Sequence, residues 1–220
     1  MGDTYSARRK YRGSAAREYD SQRTASRYER WKWARELQTL ANALAADGGA
    51  QEILDMPVGT GRAVPTLQAT AFRVVAADIS LDMVRLTRDR NPTLDEVVLC
   101  EGEKLPLKDG CVDAAVSIRL FQHLPRSVAV KIAAELRRVS RDRVYIQVPI
   151  EHWWSPIVRR LGALVLQGRL RHVKRAAGRA FPATPRVADG IFGESGLAVV
   201  RSIRVSSILG QLRLFVLDSR

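Results

Sequence analysis

The chain has 220 residues, 46% of them apolar, and a formal net charge of +13. That length and apolar share suit one compact domain with a full core, and the two cysteines, Cys100 and Cys111, lack metal-ligand spacing and read as buried thiols. No apolar run approaches a membrane span and no apolar signal region opens the chain, so a cytoplasmic protein is expected, with peripheral contact at a membrane face left open by its charge.

Residues 1–23 are polar and basic and are expected to form a mobile segment ahead of a domain over 24–220. The spacing of Tyr28, Trp31, Leu37, Leu40 and Leu44 predicts an amphipathic helix from about Thr24 to Ala46, stopped by Asp47-Gly48-Gly49. Strands are predicted near Glu52–Met56, Arg73–Asp78, Glu96–Cys100, Val112–Ser117 and Arg143–Val148, with helices at about Arg62–Thr70, Leu81–Asn91 and Ser127–Ser140 between them. This alternation predicts an α/β fold, a doubly wound and mostly parallel sheet covered on both faces. Two further strand-like runs, Ala198–Ile208 and Leu212–Asp218, surround Leu209-Gly210-Gln211 and predict a C-terminal antiparallel hairpin.

Within that frame, Ile53-Leu54-Asp55-Met56-Pro57-Val58-Gly59-Thr60-Gly61-Arg62 reads as a strand, a glycine turn and the start of a helix, and Val74-Val75-Ala76-Ala77-Asp78 as a second strand ending on an acid. The parts suit an adenosine: the glycines allow close approach of backbone, and a carboxylate at Asp78 can accept from both ribose hydroxyls. A dinucleotide site would want a third glycine where this chain has Val64, so a ligand without a pyrophosphate, such as S-adenosylmethionine, is the better candidate. A side chain at Gly61 is expected to enter the space such a ligand needs.

Further along come Cys100-Glu101-Gly102-Glu103-Lys104-Leu105-Pro106-Leu107 and Cys111-Val112-Asp113-Ala114-Ala115-Val116-Ser117. With the glycine turn and Asp78, in that order and at those separations, they resemble the class I S-adenosylmethionine-dependent methyltransferases, particularly the branch acting on small molecules and lipids. The resemblance implies that Asp55, Gly59 and Gly61 surround the methionine part of the cofactor and that Asp78 holds the ribose. It further implies that Glu101 accepts from the adenine amino group beside the Gly102 backbone, that Ile79 and Met83 give apolar contact, and that Ile118 and Arg119 lie near the sulfonium. Tyr19 and Arg23 would fold over that sulfonium. One departure is Pro57, where the family usually has glycine; proline removes an N–H donor.

Methyl transfer asks mainly for alignment, and a base helps when the acceptor carries a proton. His123 and His152 follow the fourth and fifth strands at the carboxyl edge, where ligands bind in such sheets, and are the candidate bases; a packing or capping role competes for each. Arg119 is a candidate for binding an acidic substrate group or orienting the cofactor. No metal site is suggested. Residues 149–186 read as an insertion with Trp153-Trp154, a leucine-rich pattern and seven basic side chains over 151–180, where the net charge is +6 against +1 over 51–150. It suits a lid, an anionic membrane surface, or nucleic acid as the remaining option. The acceptor expected is a small molecule or lipid-like; the alternatives are an RNA methyltransferase and a non-catalytic binding protein with a vestigial cofactor site.

Overall fold

The structure is a computed structural model that describes residues 26–94, 96–150, 184–206 and 211–219. The first helix, α1 (Arg27–Ala46), starts where the Ser26 hydroxyl accepts the Glu29 N–H at 3.1 Å, three residues later than Thr24. It stops at Asp47, after which Gly48 and Gly49 take φ values of 91° and 78°. The expected apolar stripe is only partly the buried one. Leu37, Leu40 and Leu44 face the sheet, but Tyr28 and Trp31 are half exposed and stack on each other at 6.0 Å. Trp31 lies nine residues before Leu40, about two and a half helical turns, and so points to the opposite side. The buried face instead takes in Glu36, which is 1% exposed.

Beyond α1 the chain alternates β1 (Glu52–Asp55), α2 (Val64–Gln68), β2 (Arg73–Asp78), α3 (Leu81–Arg90), β3 (Glu96–Leu99), β4 (Val112–Ile118), α4 (Arg126–Val139) and β5 (Ser140–Ile150). After the undescribed residues come α5 (Pro185–Glu194), β6 (Ala198–Ser206) and β7 (Gln211–Asp218). The seven strands form one sheet in the order β3-β2-β1-β4-β5-β7-β6. β1 to β5 run parallel, while β7 lies antiparallel to both β5 and β6, as the hairpin required. β5 exceeds its predicted span because it follows α4 without a loop and pairs with β7 from Arg143↔Asp218 to Ile150↔Gln211.

Each sheet face carries its own core. Leu54, Ala115, Ile146 and Phe215 pack under α4 and α5, against Ile132, Leu136 and Phe192. On the other face Ile53, Val74, Val116, Tyr145 and Leu214 pack under α1 and α2, against Leu40, Leu44 and Leu67. The strands therefore bury both sides, which is why they read as continuous apolar runs. From β1 the chain winds outward to β3 and then returns to β4 on β1's other side. That reversal opens a crevice at the carboxyl ends of β1 and β4. No helix among the described residues is long and apolar enough to cross a membrane.

Ile146 is fully buried at the middle of β5, between Ser117 of β4 and Phe215 of β7. Ile146→Ala is expected to cost about 2–5 kcal/mol, seen in urea unfolding as a lower midpoint with an unchanged denaturant slope.

Candidate active site

The carboxyl ends of β1 and β2 each finish on a buried acid. Asp55 is 1% and Asp78 6% exposed. Asp78 is a structural hub: its Oδ2 accepts the Gly59 N–H and its Oδ1 the Ser80 N–H, both at 2.9 Å. One carboxylate thus fastens the glycine turn to β2 and to the start of α3. The Ile79 N–H also favours its charged form. Burial pushes Asp78 up to about 6 despite these N–H donors. Asp55 is pushed up to about 8, by burial first and then by the Asp78 charge, and its Oδ2 has no partner among the described residues.

The turn between them follows a cis Met56-Pro57 bond. The Val58 N–H donates to Ala77 O at 2.8 Å and the Gly61 N–H to Val58 O at 3.1 Å. Its carbonyls are held from the far side by α3: Thr87 Oγ1 donates to Gly59 O at 2.9 Å, and the amide of Asn91, just past the helix, to Gly61 O at 3.3 Å. The two glycines differ. Both have positive φ, 59° at Gly59 and 74° at Gly61, but a Cβ on Gly59 would meet nothing within 4 Å, whereas one on Gly61 would strike Asn91 and Thr87. The space denied to a side chain at Gly61 therefore belongs to the α3 segment, not to a ligand, which corrects the sequence expectation. The open side of the turn is at Gly59.

Ile79 is half-buried and Met83 is buried on α3, its N–H directed at the Ser80 hydroxyl. Past β3, the Cys100 N–H continues the pairing to Asp78 O at 3.0 Å and brings Glu101, exposed, to the same edge. Gly102 is buried, and a Cβ there would press Met56 and Ile132. Arg138 of α4 steadies the loop that follows by donating to Leu105 O and Leu107 O while paired with Glu135 and Asp109.

Beyond β4, half-buried Ile118 leads to Arg119, whose φ of 58° is the one positive value on a non-glycine residue among the described residues. Such a conformation costs about 1–2 kcal/mol. Its guanidinium is turned to α1, where it pairs with Glu36 through both Nε (2.9 Å) and Nη2 rather than facing open space for an acidic substrate. His123 closes a short 3-10 turn, Phe121–His123, half-buried, with its Nε2 3.3 Å from the Gln122 amide nitrogen. His152, Tyr19, Arg23 and all but the ends of the 149–186 insertion lie outside the described residues.

Three side chains at this edge were not singled out from sequence: Glu36, Trp33 and Arg62. Arg62 stands 4.3 Å from the centroid of Trp33 and Arg119 5.8 Å from it. A signal existed, since Glu36 interrupts the stripe that runs through Trp33, Leu37 and Leu40, and an acid there must find a partner once buried.

A doubly wound sheet with a glycine turn after β1, an acid closing β2 and no third glycine is similar to the architecture of the class I methyltransferases. Residues 54–147 match a family described as a methyltransferase domain. It is 32% identical over 139 residues to a 37.1 kDa protein of transposon TN4556 from Streptomyces fradiae, covering 61% of this chain and 39% of that one. It is also 30% identical over 92 residues to a Mycobacterium tuberculosis protein named "probable S-adenosylmethionine-dependent methyltransferase", covering 42% and 33%. The chain thus spans between a third and two fifths of the curated relatives it matches. In fold it is similar to magnesium protoporphyrin IX methyltransferase from Synechocystis PCC 6803, solved with S-adenosylhomocysteine bound, at a TM-score of 0.74 and 17% identity over 96% of this chain and 97% of that one.

The residues present fit that cofactor. Asp55 offers a buried oxygen with no partner among the described residues, the Asp78 carboxylate stands beside the turn, and Gly59 leaves open space.

Two outcomes test this geometry. Gly59→Ala should cost only the backbone strain of about 1–2 kcal/mol, while Gly61→Ala should add an overpacking cost of about 1–3 kcal/mol, both read by chemical denaturation. Because Asp55 has a folded pKa near 8 against 3.8 for the ordinary side chain, the folded protein holds a proton that the unfolded chain has released. That contribution is complete below about pH 4 and is lost as pH rises toward 8. Above the Asp78 titration, from about pH 6 to 8, unfolding of the ligand-free protein should therefore become easier by up to about 1.4 kcal/mol per pH unit, and Asp55→Asn should flatten that slope.

Proposed function

We propose that the protein transfers a methyl group from S-adenosylmethionine to an oxygen or nitrogen of a small-molecule or lipid-like acceptor. The observation that carries the reading is the pair of buried acids that end β1 and β2 at the glycine turn: Asp78 fastens the turn, and Asp55 Oδ2 has no partner among the described residues. Orphaned buried acceptors of this kind are costly and await donors. Asp55 suits an ammonium group and Asp78 a pair of ribose hydroxyls, with Ile79 and Met83 as apolar walls and Glu101 at the adenine edge. When bound, the cofactor supplies a methyl group on a sulfonium that carries its own leaving group. The protein's part is then to align the acceptor, to keep water out, and to take a proton from it where it has one. His123 stands at the carboxyl edge and is the described residue suited to that last step; His152 is its companion in sequence.

A small-molecule acceptor is supported by the likeness in fold to a porphyrin methyltransferase. The +6 charge and tryptophan pair of residues 151–180 support work at an anionic membrane face of the cytoplasm.

Calorimetry should show binding of S-adenosylmethionine and S-adenosylhomocysteine but not of NAD. Asp78→Ala should weaken both by roughly ten- to a hundredfold, the worth of about 1.5–3 kcal/mol for hydrogen bonds to a charged group. Labelled methyl from the cofactor, offered with extracted metabolites, lipids and RNA, should appear in a small molecule or lipid. Label in RNA alone would replace the acceptor assignment, and NAD binding without cofactor binding would remove the reaction.

A further inference from the structure

We propose that Glu36 and Trp33 are positioning residues for the cofactor crevice: through Arg119 and Arg62 they hold the first turns of α1 against the carboxyl ends of β1 and β4, and this docking tightens when the cofactor binds. The inference rests on the cofactor reading above.

The geometry begins with a buried acid on a surface helix. The Glu36 side chain is fully buried, and its partner lies 83 residues away in sequence, immediately after β4. Arg119 answers with a bidentate fork, the arrangement that gives a guanidinium its directional hold. The same arginine has the left-handed backbone, and its carbonyl accepts from the Gln122 amide at 2.9 Å. Strained conformations of this kind persist where surrounding contacts over-determine them, and they concentrate at working sites. Here the contacts come from α1 on one side and the turn after β4 on the other.

Trp33 extends the hold to the glycine turn after β1. It precedes Glu36 by three residues, on the same helix face, and its ring meets Arg62, the residue directly after Gly61. One indole thus lies beside two guanidiniums, one from the glycine turn and one from the end of β4. The two segments beside the crevice, 59–62 and 118–119, both meet this one helix. Loss of either tie frees α1 from that side of the crevice. Bound cofactor, touching both segments, holds them at the spacing α1 needs, and by linkage docking of α1 slows its release.

The test uses the full chain with S-adenosylhomocysteine, followed by hydrogen exchange and by binding kinetics. In the unmodified protein, amides of residues 31–40 should gain at least tenfold protection on binding. Glu36→Gln and Trp33→Ala should lose that gain and release the ligand at least tenfold faster. Trp33→Phe, which keeps an aromatic face for Arg62, should restore most of both. A residue that only stabilised the fold would lower the melting temperature without changing the ligand-dependent exchange of α1. If Glu36→Gln fails to fold, Trp33→Ala carries the same test on a partly exposed ring. Equal exchange in α1 with and without ligand, at a saturation confirmed by calorimetry, overturns the proposal and leaves the cofactor reading standing. Absence of ligand binding to the unmodified protein overturns both.

Discussion

The Asp78 carboxylate is the joint on which the crevice depends. It ends β2 at the sheet edge, takes the Gly59 N–H on one oxygen and the Ser80 N–H on the other, and so sets the glycine turn and the start of α3 relative to the strand between them. α3 then returns the constraint, because Thr87 and Asn91 hold the turn's carbonyls from behind. A glycine turn joined only to its flanking strand and helix would have many shapes. Fixed at both its N–H and its carbonyl groups, it has one, and the open side at Gly59 is what remains for a ligand.

The same edge concentrates electrostatic cost. Asp55 and Asp78 are buried close enough for the charge of one to raise the other, and neither has a cation beside it among the partners the structure shows. At the opposite edge the arrangement is reversed. Arg73 bridges Glu52 and Glu96, Arg141 bridges Glu52 and Asp113, Arg143 pairs with Asp218, and Arg201 with Asp47; Asp47, Asp113, Arg143 and Asp218 also line a cavity of about 350 Å³. These pairs are partly exposed and individually worth little. Each acid in these pairs faces an arginine, whereas Asp55 and Asp78 face none among the partners the structure shows, and a cationic ligand gains most beside them.

Glu36 shows how a tertiary contact can invert a local rule. By helix periodicity it belongs to the apolar stripe, and by composition it belongs in water. Burial against Arg119 satisfies both, since the ion pair neutralises the acid while the neighbouring Trp33, Leu37 and Leu40 keep the face packed. Tyr28 and Trp31 make the converse point. They looked like core residues by type, but their angular position on the helix sends them outward.

Sequence alone determined the sheet. Strand runs buried on both faces are continuously apolar, the glycines and acids punctuate them, and the hairpin at the end follows from two such runs around a short turn. It also set the cofactor expected, because Val64 in place of a third glycine and the acid at Asp78 are properties of the chain itself. The tertiary structure decided what those residues press against. That Gly61 makes room for Asn91 and Thr87 and Gly59 opens onto empty space, that Arg119 faces Glu36, and that Trp33 joins two arginines are all contacts between elements distant in sequence. Periodicity reports which face of an element is apolar. It does not report which other element meets that face, and at the carboxyl edge of this sheet the meeting of α1, the glycine turn and the end of β4 is what shapes the site.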